Sequence, residues 1–467
     1  MTFFLISVLL LILGYLFYSK FVEKVFGISN KATPAIKYND GVDYVVLPVW
    51  KIFLIQFLNI AGLGPVFGAI LGAVYGPVAL LWIVFGSIFA GGVHDYLTGM
   101  FSVRFKGKTM DYMVKKVLSK HFSIVFSLFL TLILILVGSV FALNPAKMLA
   151  NIFNTNVIFW CVIIFGYYFL TTLLPVDKII GKFYPFFAFL LIVVTIALLC
   201  SLFRLDREWF YIQSFTNLHP KNTPIFPLMF ITIACGALSG FHATQSPIMA
   251  RCIPKESDGR LIFYGAMILE GFIALVWATL GIAFYQNQAL YYEAVTNLGQ
   301  GGVVAEISKH FLGNIGSTLT VLAVVVLSIT SGDTAFRSAR LTISDGLHIN
   351  QKDIIKRLIL SSIVLSCGIL FAFSDITSLW LYFGWANQTL AAISLWTVSV
   401  YLKKKNKNYL ISLIPALFMT LVSFTYILNA KIGFNIDLFK AKIISLIITI
   451  LALILFYIKD INKKVRK

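Results

Sequence analysis

The chain has 467 residues, 59% of them hydrophobic and only 12% charged, with a mean hydropathy of +0.90, so it lacks the polar surface of a water-soluble globule and reads as a polytopic membrane protein. The net charge of +19 is spread over short loops between apolar runs, which excludes a nucleic-acid-binding domain with a clustered basic face. The five cysteines (Cys161, Cys200, Cys235, Cys252, Cys367) are odd in number and far apart, without C-x-x-C or Cys/His ligand spacing, so no disulfide framework, metal site or cofactor is expected.

The N-terminal run MTFFLISVLLLILGYLFYSK has neither a basic leader nor a small-residue cleavage site and reads as a retained anchor helix. Crossing a hydrocarbon core of about 30 Å takes about 20 apolar residues as helix. Runs of that order fall at 2–18, 53–73, 78–100, 122–142, 157–174, 184–203, 226–248, 261–285, 315–332, 358–373, 377–401, 409–429 and 439–458, thirteen in all, with 358–373 the shortest. Placing the N-terminus outside puts 30 of the 38 Lys and Arg on the inner loops, as the positive-inside rule requires, with the C-terminus in the cytoplasm. One outer stretch, from residue 285 to 314, is longer than the rest; its apolar periodicity suits either a surface helix or a plain connector.

Two spans are interrupted. IFLIQFLNIAGLGPVFGAILG at 53–73 carries Gln56, Asn59, Gly62, Gly64 and Pro65 near its centre, and CGALSGFHATQSP at 235–247 carries Gly236, Ser239, Gly240, His242 and Pro247. These spans are five apart, so they cross in opposite senses, and the chain divides into two five-helix units of inverted topology. The expected divisions are an anchor helix and loop (1–50), a first unit (51–203), a second (204–408), and two C-terminal helices with a basic tail (409–467). The units share a register: Asp95 lies 31 residues after Gly64 and Glu270 lies 30 after Gly240. Unwound backbone within a bilayer is tolerated only where protein or a wet cavity satisfies it, so the breaks should face a site. A lone glycine would instead be read as a packing residue.

The stretches NIAGLGPVFGAILGAVYGP, FGSIFAGGVHDY, GALSGFHATQSP, YGAMILEGF, SGDTAFRSAR and LYFGWANQTLAAI together resemble the carbon starvation protein A family of bacterial inner-membrane transporters, over residues from about 50 to 400. The resemblance implies an all-α secondary transporter of the LeuT-type inverted-repeat fold, linked to uptake of peptides or pyruvate during nutrient limitation. The chain lacks much of the C-terminal extension of the longer members.

No Lys or Arg occupies the interior of a span, so a substrate carboxylate would be met by half-helix N-termini, after Gly64 and around Ser239 to His242. His242 is a candidate to bond substrate or titrate, or else to pin the unwound backbone. Glu270, about 13 Å from the inner end of its span at 1.5 Å per residue, is costly to ionise unless paired, and is a candidate proton carrier or an interhelical clamp. Asp95, about 8 Å deep on the same rise, suits a cytoplasmic gate or a pair with a basic loop residue. By the LeuT-type resemblance, Ser328, Thr330, Ser331, Asp333 and Thr334 would hold a sodium ion with carbonyls of the first broken helix; helix back-bonding is their plainer use. Asn387 and Gln388 would line the path or cross-link helices. The coupling ion is a proton or sodium.

Three other functions fit the sequence less well. GALSG approaches the motif of rhomboid intramembrane proteases, but a histidine three residues along the same broken segment is poorly placed to activate Ser239. A passive channel lacks coupling. A metal transporter on this fold would want an acidic residue at the first break, and none is there.

Overall fold

A computed structural model describes residues 2–173, 180–203, 215–285, 287–351, 353–373 and 376–464. The loop at 174–179, the expected unit boundary beyond residue 203 and the last three residues of the basic tail lie outside the described residues.

Every element among the described residues is helical. The anchor helix is α1, Phe3–Phe26. A first interrupted pair follows, α2 (Val49–Ala61) and α3 (Gly64–Ala73), bent by 52°. Then come α4 (Val78–Arg104), the short surface helix α5 (Met110–Val117), α6 (Lys120–Phe153), α7 (Val157–Leu173) and α8 (Tyr184–Leu202). A second interrupted pair is α9 (Leu228–Thr232) and α10 (His242–Ala250), followed by α11 (Glu256–Phe284) and the long α12 (Gln288–Leu347). The chain ends with α13 (Ile354–Ala372), α14 (Ile376–Lys404), α15 (Leu410–Asn429) and α16 (Leu438–Lys464).

Nine helices among the described residues are long and apolar enough to cross a bilayer, ten with α2 and α3 taken together. The other runs expected to span fall on α7, on the interrupted pair α9 and α10, and on α14, so the count depends on how short and broken helices are treated.

Two expectations change. The stretch 285–314 is not a plain connector: α12 is broken at Gly299 (φ 67°) and Gly313 (φ 69°) into short helices and a long one, a backbone conformation that glycine adopts without a Cβ penalty. The long piece runs on to Leu347, so Ser328 to Thr334 sit mid-helix rather than at a helix end. The extension also buries Arg337 and Arg340 near the face that carries the basic loops.

Lipid-facing positions are apolar throughout. Leu9, Phe17, Val125, Leu128, Val162 and Leu455 are exposed, and buried polar groups such as Asp95, His242 and Glu270 sit within an otherwise apolar interior, as expected where the solvent is hydrocarbon.

Candidate functional site

The two breaks touch each other. The first helix stops at Gly62 (φ 48°, ψ −147°) and restarts at Gly64 with Pro65 in the opening turn, a place where proline costs no hydrogen bond. A Cβ on Gly64 would lie 1.8 Å from the Cβ of Cys235 in the second break, and one on Gly62 would lie 2.9 Å from the ring of Phe141. The second helix is unwound from Ile233 to Phe241, with Gly236 at φ 93°. Pro247 lies inside α10 and takes no part in the break. Gly240 serves close approach: a Cβ there would meet the backbone of α14, 2.2 Å from the Asn387 carbonyl oxygen.

The freed peptide groups have identifiable partners, which is what allows an unwound segment at this depth. Trp82 Nε1 donates to the Ile233 carbonyl (3.2 Å) and Ser87 Oγ to that of Gly236 (2.9 Å). Gln388 Nε2 donates to the carbonyls of Leu238 (3.1 Å) and Phe230 (3.2 Å). Asn387 Oδ1 accepts from the Phe241 N–H (2.7 Å) and lies 3.1 Å from Ser239 Oγ. Asn387 and Gln388 therefore hold the second break in shape. The amide oxygen of Asn387 also fills the anion position expected around Ser239 to His242, accepting from the Phe241 N–H of that segment.

Beside the breaks is a line of fully buried ionisable groups. Asp95 on α4 accepts from Nδ1 of His94 and Nδ1 of His242, both at 2.8 Å. Nε2 of His242 lies 3.5 Å from Oε2 of Glu270 on α11. Asp95, His94, His242 and Glu270 are all 0% exposed. Asp95 thus pairs with the second broken helix and not with a basic loop residue, because the inward face of α4 turns it to α10. Cys235 Sγ, a ring nitrogen of His242 and a carboxylate oxygen of Glu270 lie within 4.8 Å of one another. The Ser239 hydroxyl is engaged with Asn387, while the two nitrogens of His242 face Asp95 and Glu270.

The oxygen donors on α12 part company. Ser331 Oγ donates toward the carbonyls of Leu58 (3.2 Å) and Asn59 (3.3 Å) on the first broken helix. Ser328 donates to the Phe141 carbonyl, and Thr330 and Thr334 bond back to their own helix. Asp333 accepts from Thr171 Oγ1 (2.5 Å) and Tyr184 OH (2.9 Å), clamping α12 to α7 and α8. Among the described residues, Ser331 is the one of the five that hydrogen-bonds to carbonyls of the first broken helix.

Gln56 and Asn59, the polar residues just before the first break, were given no role from sequence; they are 0% exposed, and both ends of each amide lack a hydrogen-bond partner among the described residues. Cys235 stood inside the quoted motif but its role depends on Glu270, which is remote in sequence.

Comparison with known proteins decides the family. The family model described as carbon starvation protein CstA matches residues 1–151, 142–309 and 293–426. The chain belongs to the CstA family. A CstA-family match of this extent makes it a multi-pass membrane transporter rather than an enzyme. A membrane protein of Haemophilus influenzae is 45% identical over 350 residues, covering 63% of this chain and 94% of its own. The peptide transporter CstA of Helicobacter pylori is 25% identical, covering 88% of this chain and 79% of that protein. The pyruvate/proton symporter BtsT of Escherichia coli is 29% identical over 58% of this chain and 47% of its own length. Among solved structures, a mutant of the Eremococcus coleocola manganese transporter superposes with a TM-score of 0.63 at 14% identity, covering 90% of this chain and 98% of that one. MhsT in complex with L-phenylalanine gives 0.59 at 14% identity, covering 88% and 98%. The CstA-family chain has the LeuT-type fold that these transporters share.

Proposed function

We propose that this CstA-family protein is a proton-coupled importer of small carboxylates, pyruvate or short peptides, working by alternating access in a bacterial inner membrane. Its N-terminus lies outside, its C-terminus in the cytoplasm, and its moving parts are the five-helix units 51–203 and 204–408. The observation that carries the reading is the buried line Asp95, His242, Glu270, which joins α4, the second broken helix and α11 with no Lys or Arg within it. A carboxylate held in that setting is costly as an anion and is relieved by a proton. Loading Glu270 with a proton from one side and releasing it on the other is tied to the second broken helix through His242. The substrate carboxylate is received by the N–H groups of the half-helix starting at Gly64, with Gln56 and Asn59 supplying unpaired amides nearby in the chain.

The scatter of Ser328, Thr330, Asp333 and Thr334 away from the first broken helix supports a proton over sodium. The names carried by relatives, peptide transporter and pyruvate/proton symporter, support the substrate class. The test is uptake into proteoliposomes, comparing pyruvate with a dipeptide under separate proton and sodium gradients. A proton gradient drives accumulation, and Glu270→Gln abolishes the pH dependence while counterflow of substrate persists. Accumulation driven by sodium alone, or an unaltered pH profile in Glu270→Gln, removes the reading.

A further inference from the structure

We propose that Cys235, His242 and Glu270 form a binding site for a thiophilic divalent cation of the Zn2+ and Cd2+ class, which locks the second broken helix to α11. The donor set is one sulfur, one imidazole nitrogen and one carboxylate, a combination that suits zinc-like ions and not magnesium or calcium, which take oxygen ligands.

The geometry is close to what such an ion needs. Tetrahedral zinc with bonds of about 2.0 to 2.3 Å sets its ligand atoms roughly 3.5 Å apart. His242 Nε2 and Glu270 Oε2 already stand at 3.5 Å, and all three donors lie within 4.8 Å of one another. Their coordinating atoms are held only weakly: His242 Nε2 and both oxygens of Glu270 are buried without a hydrogen bond of ordinary length and angle among the described residues, and the Cys235 thiol has a long contact of 3.4 Å to Ser239 Oγ that a metal would replace. The support around the ligand is in place as well. Asp95 holds Nδ1 of His242 and is itself held by His94, the carboxylate-histidine arrangement that fixes an imidazole with its second nitrogen toward a metal. Binding converts the Cys235 thiol to thiolate and releases its proton to solvent, as metal binding by cysteine does generally. Cys235 lies against Gly64, so the bound ion sits where the two breaks meet.

The binding claim stands on geometry and donor chemistry. Its consequence, inhibition of uptake, rests on the proton-coupling reading, since the ion takes the same nitrogen and carboxylate. The experiment is therefore a direct binding measurement on the full-length purified protein. Cd2+ is titrated while the ultraviolet charge-transfer absorption of a cadmium thiolate is followed, in a variant that keeps Cys235 and has Cys161, Cys200, Cys252 and Cys367 replaced by alanine. We expect one Cd2+ per chain, loss of the band in Cys235→Ala, and at least tenfold weaker binding in Glu270→Gln. No band in the single-cysteine protein, or binding indifferent to Glu270→Gln, overturns the site. Zn2+ inhibition is scored against each variant's own metal-free uptake, and we expect wild type to lose it when Cys235 is replaced. Failure of the proton reading shows in the pH profile of uptake and leaves the cadmium band untouched, so the two failures are separable.

Discussion

At the scale of single residues, much of the polar chemistry of this CstA-family chain maintains an irregular backbone. Asn387 illustrates it. Its side-chain oxygen satisfies the Phe241 N–H at the start of α10 and lies within reach of Ser239. Replacing it with alanine leaves a buried donor with no acceptor, a loss of about 1 to 3 kcal/mol. Asn387→Ala should therefore lower the melting temperature of the purified protein, and Asn387→Asp, which retains an acceptor oxygen, should lower it less. Equal melting temperatures for wild type and Asn387→Ala would mean that the amide is not what holds the break. His242 shows the other use of a polar residue: its two nitrogens face carboxylates on two different helices, so a change in its charge is felt by α4 and α11 together.

At the scale of elements, two half-helices begin at the centre of the molecule because glycine permits the backbone to leave the helix and to approach closely. Gly64 is the sharper case, since the nearest atom to an added Cβ would be the Cβ of Cys235, at 1.8 Å. No rotamer relieves that overlap; one break has to move off the other. Gly64→Val should reduce uptake at least tenfold, and the loss should appear in apparent substrate affinity as well as in rate. Gly166, exposed on α7 with nothing within 4 Å of an added Cβ, provides the control, and Gly166→Ala should transport as wild type does. Retention of wild-type affinity in Gly64→Val would remove this half-helix from substrate binding. The kinks at Gly299 and Gly313 follow the same backbone rule, but without a close neighbour, so they shape a surface segment and not a site.

At the scale of the whole molecule, buried and half-buried carboxylates tie together the face carrying the basic loops, Glu256 and Asp345 through ion pairs with Arg104, Lys108 and Arg251, and Asp43 at its centre. Asp43, in the loop before α2, is buried among Arg251, Arg337, Arg340 and Arg357, which come from α12, from the end of α10 and from α13. Burial pushes the Asp43 carboxyl up, but the field of Arg340 and the other three guanidinium groups outweighs it and holds the group below the usual carboxylate range. The sign follows from linkage: a group that binds its proton more weakly when folded contributes stability above its unfolded pKa, and loses it as pH falls through the folded one. Asp43→Asn removes the anion that faces Arg337 at 4.0 Å, a change costing about 3 to 5 kcal/mol when a buried pair is broken. The variant should melt at a lower temperature at neutral pH, and the difference from wild type should shrink in acid. A constant difference across pH would show that Asp43 does not act through its charge.

Composition and hydropathy were enough to establish a polytopic membrane protein, and the paired glycine clusters were enough to locate the two breaks, because these properties are local: twenty apolar residues must span, and glycine is where a helix can stop. The match in register of Asp95 and Glu270 was legible for the same reason, as a spacing along one chain. What the sequence could not decide was who faces whom. Asp95 reads as a gate residue until α4 turns it toward His242; Ser239 and His242 read as an open anion cradle until α14 delivers Asn387 into it. The five oxygen donors on α12 read as a sodium site until four of them are seen to bond to other partners. Cys235 and Glu270 share no motif, being 35 residues apart in sequence, and only the packing of α11 beside the second break brings sulfur, imidazole and carboxylate together. Side-chain partners in a bundle are set by helix rotation and by the loops that fix which helices are neighbours, and neither quantity is written in any single stretch of residues.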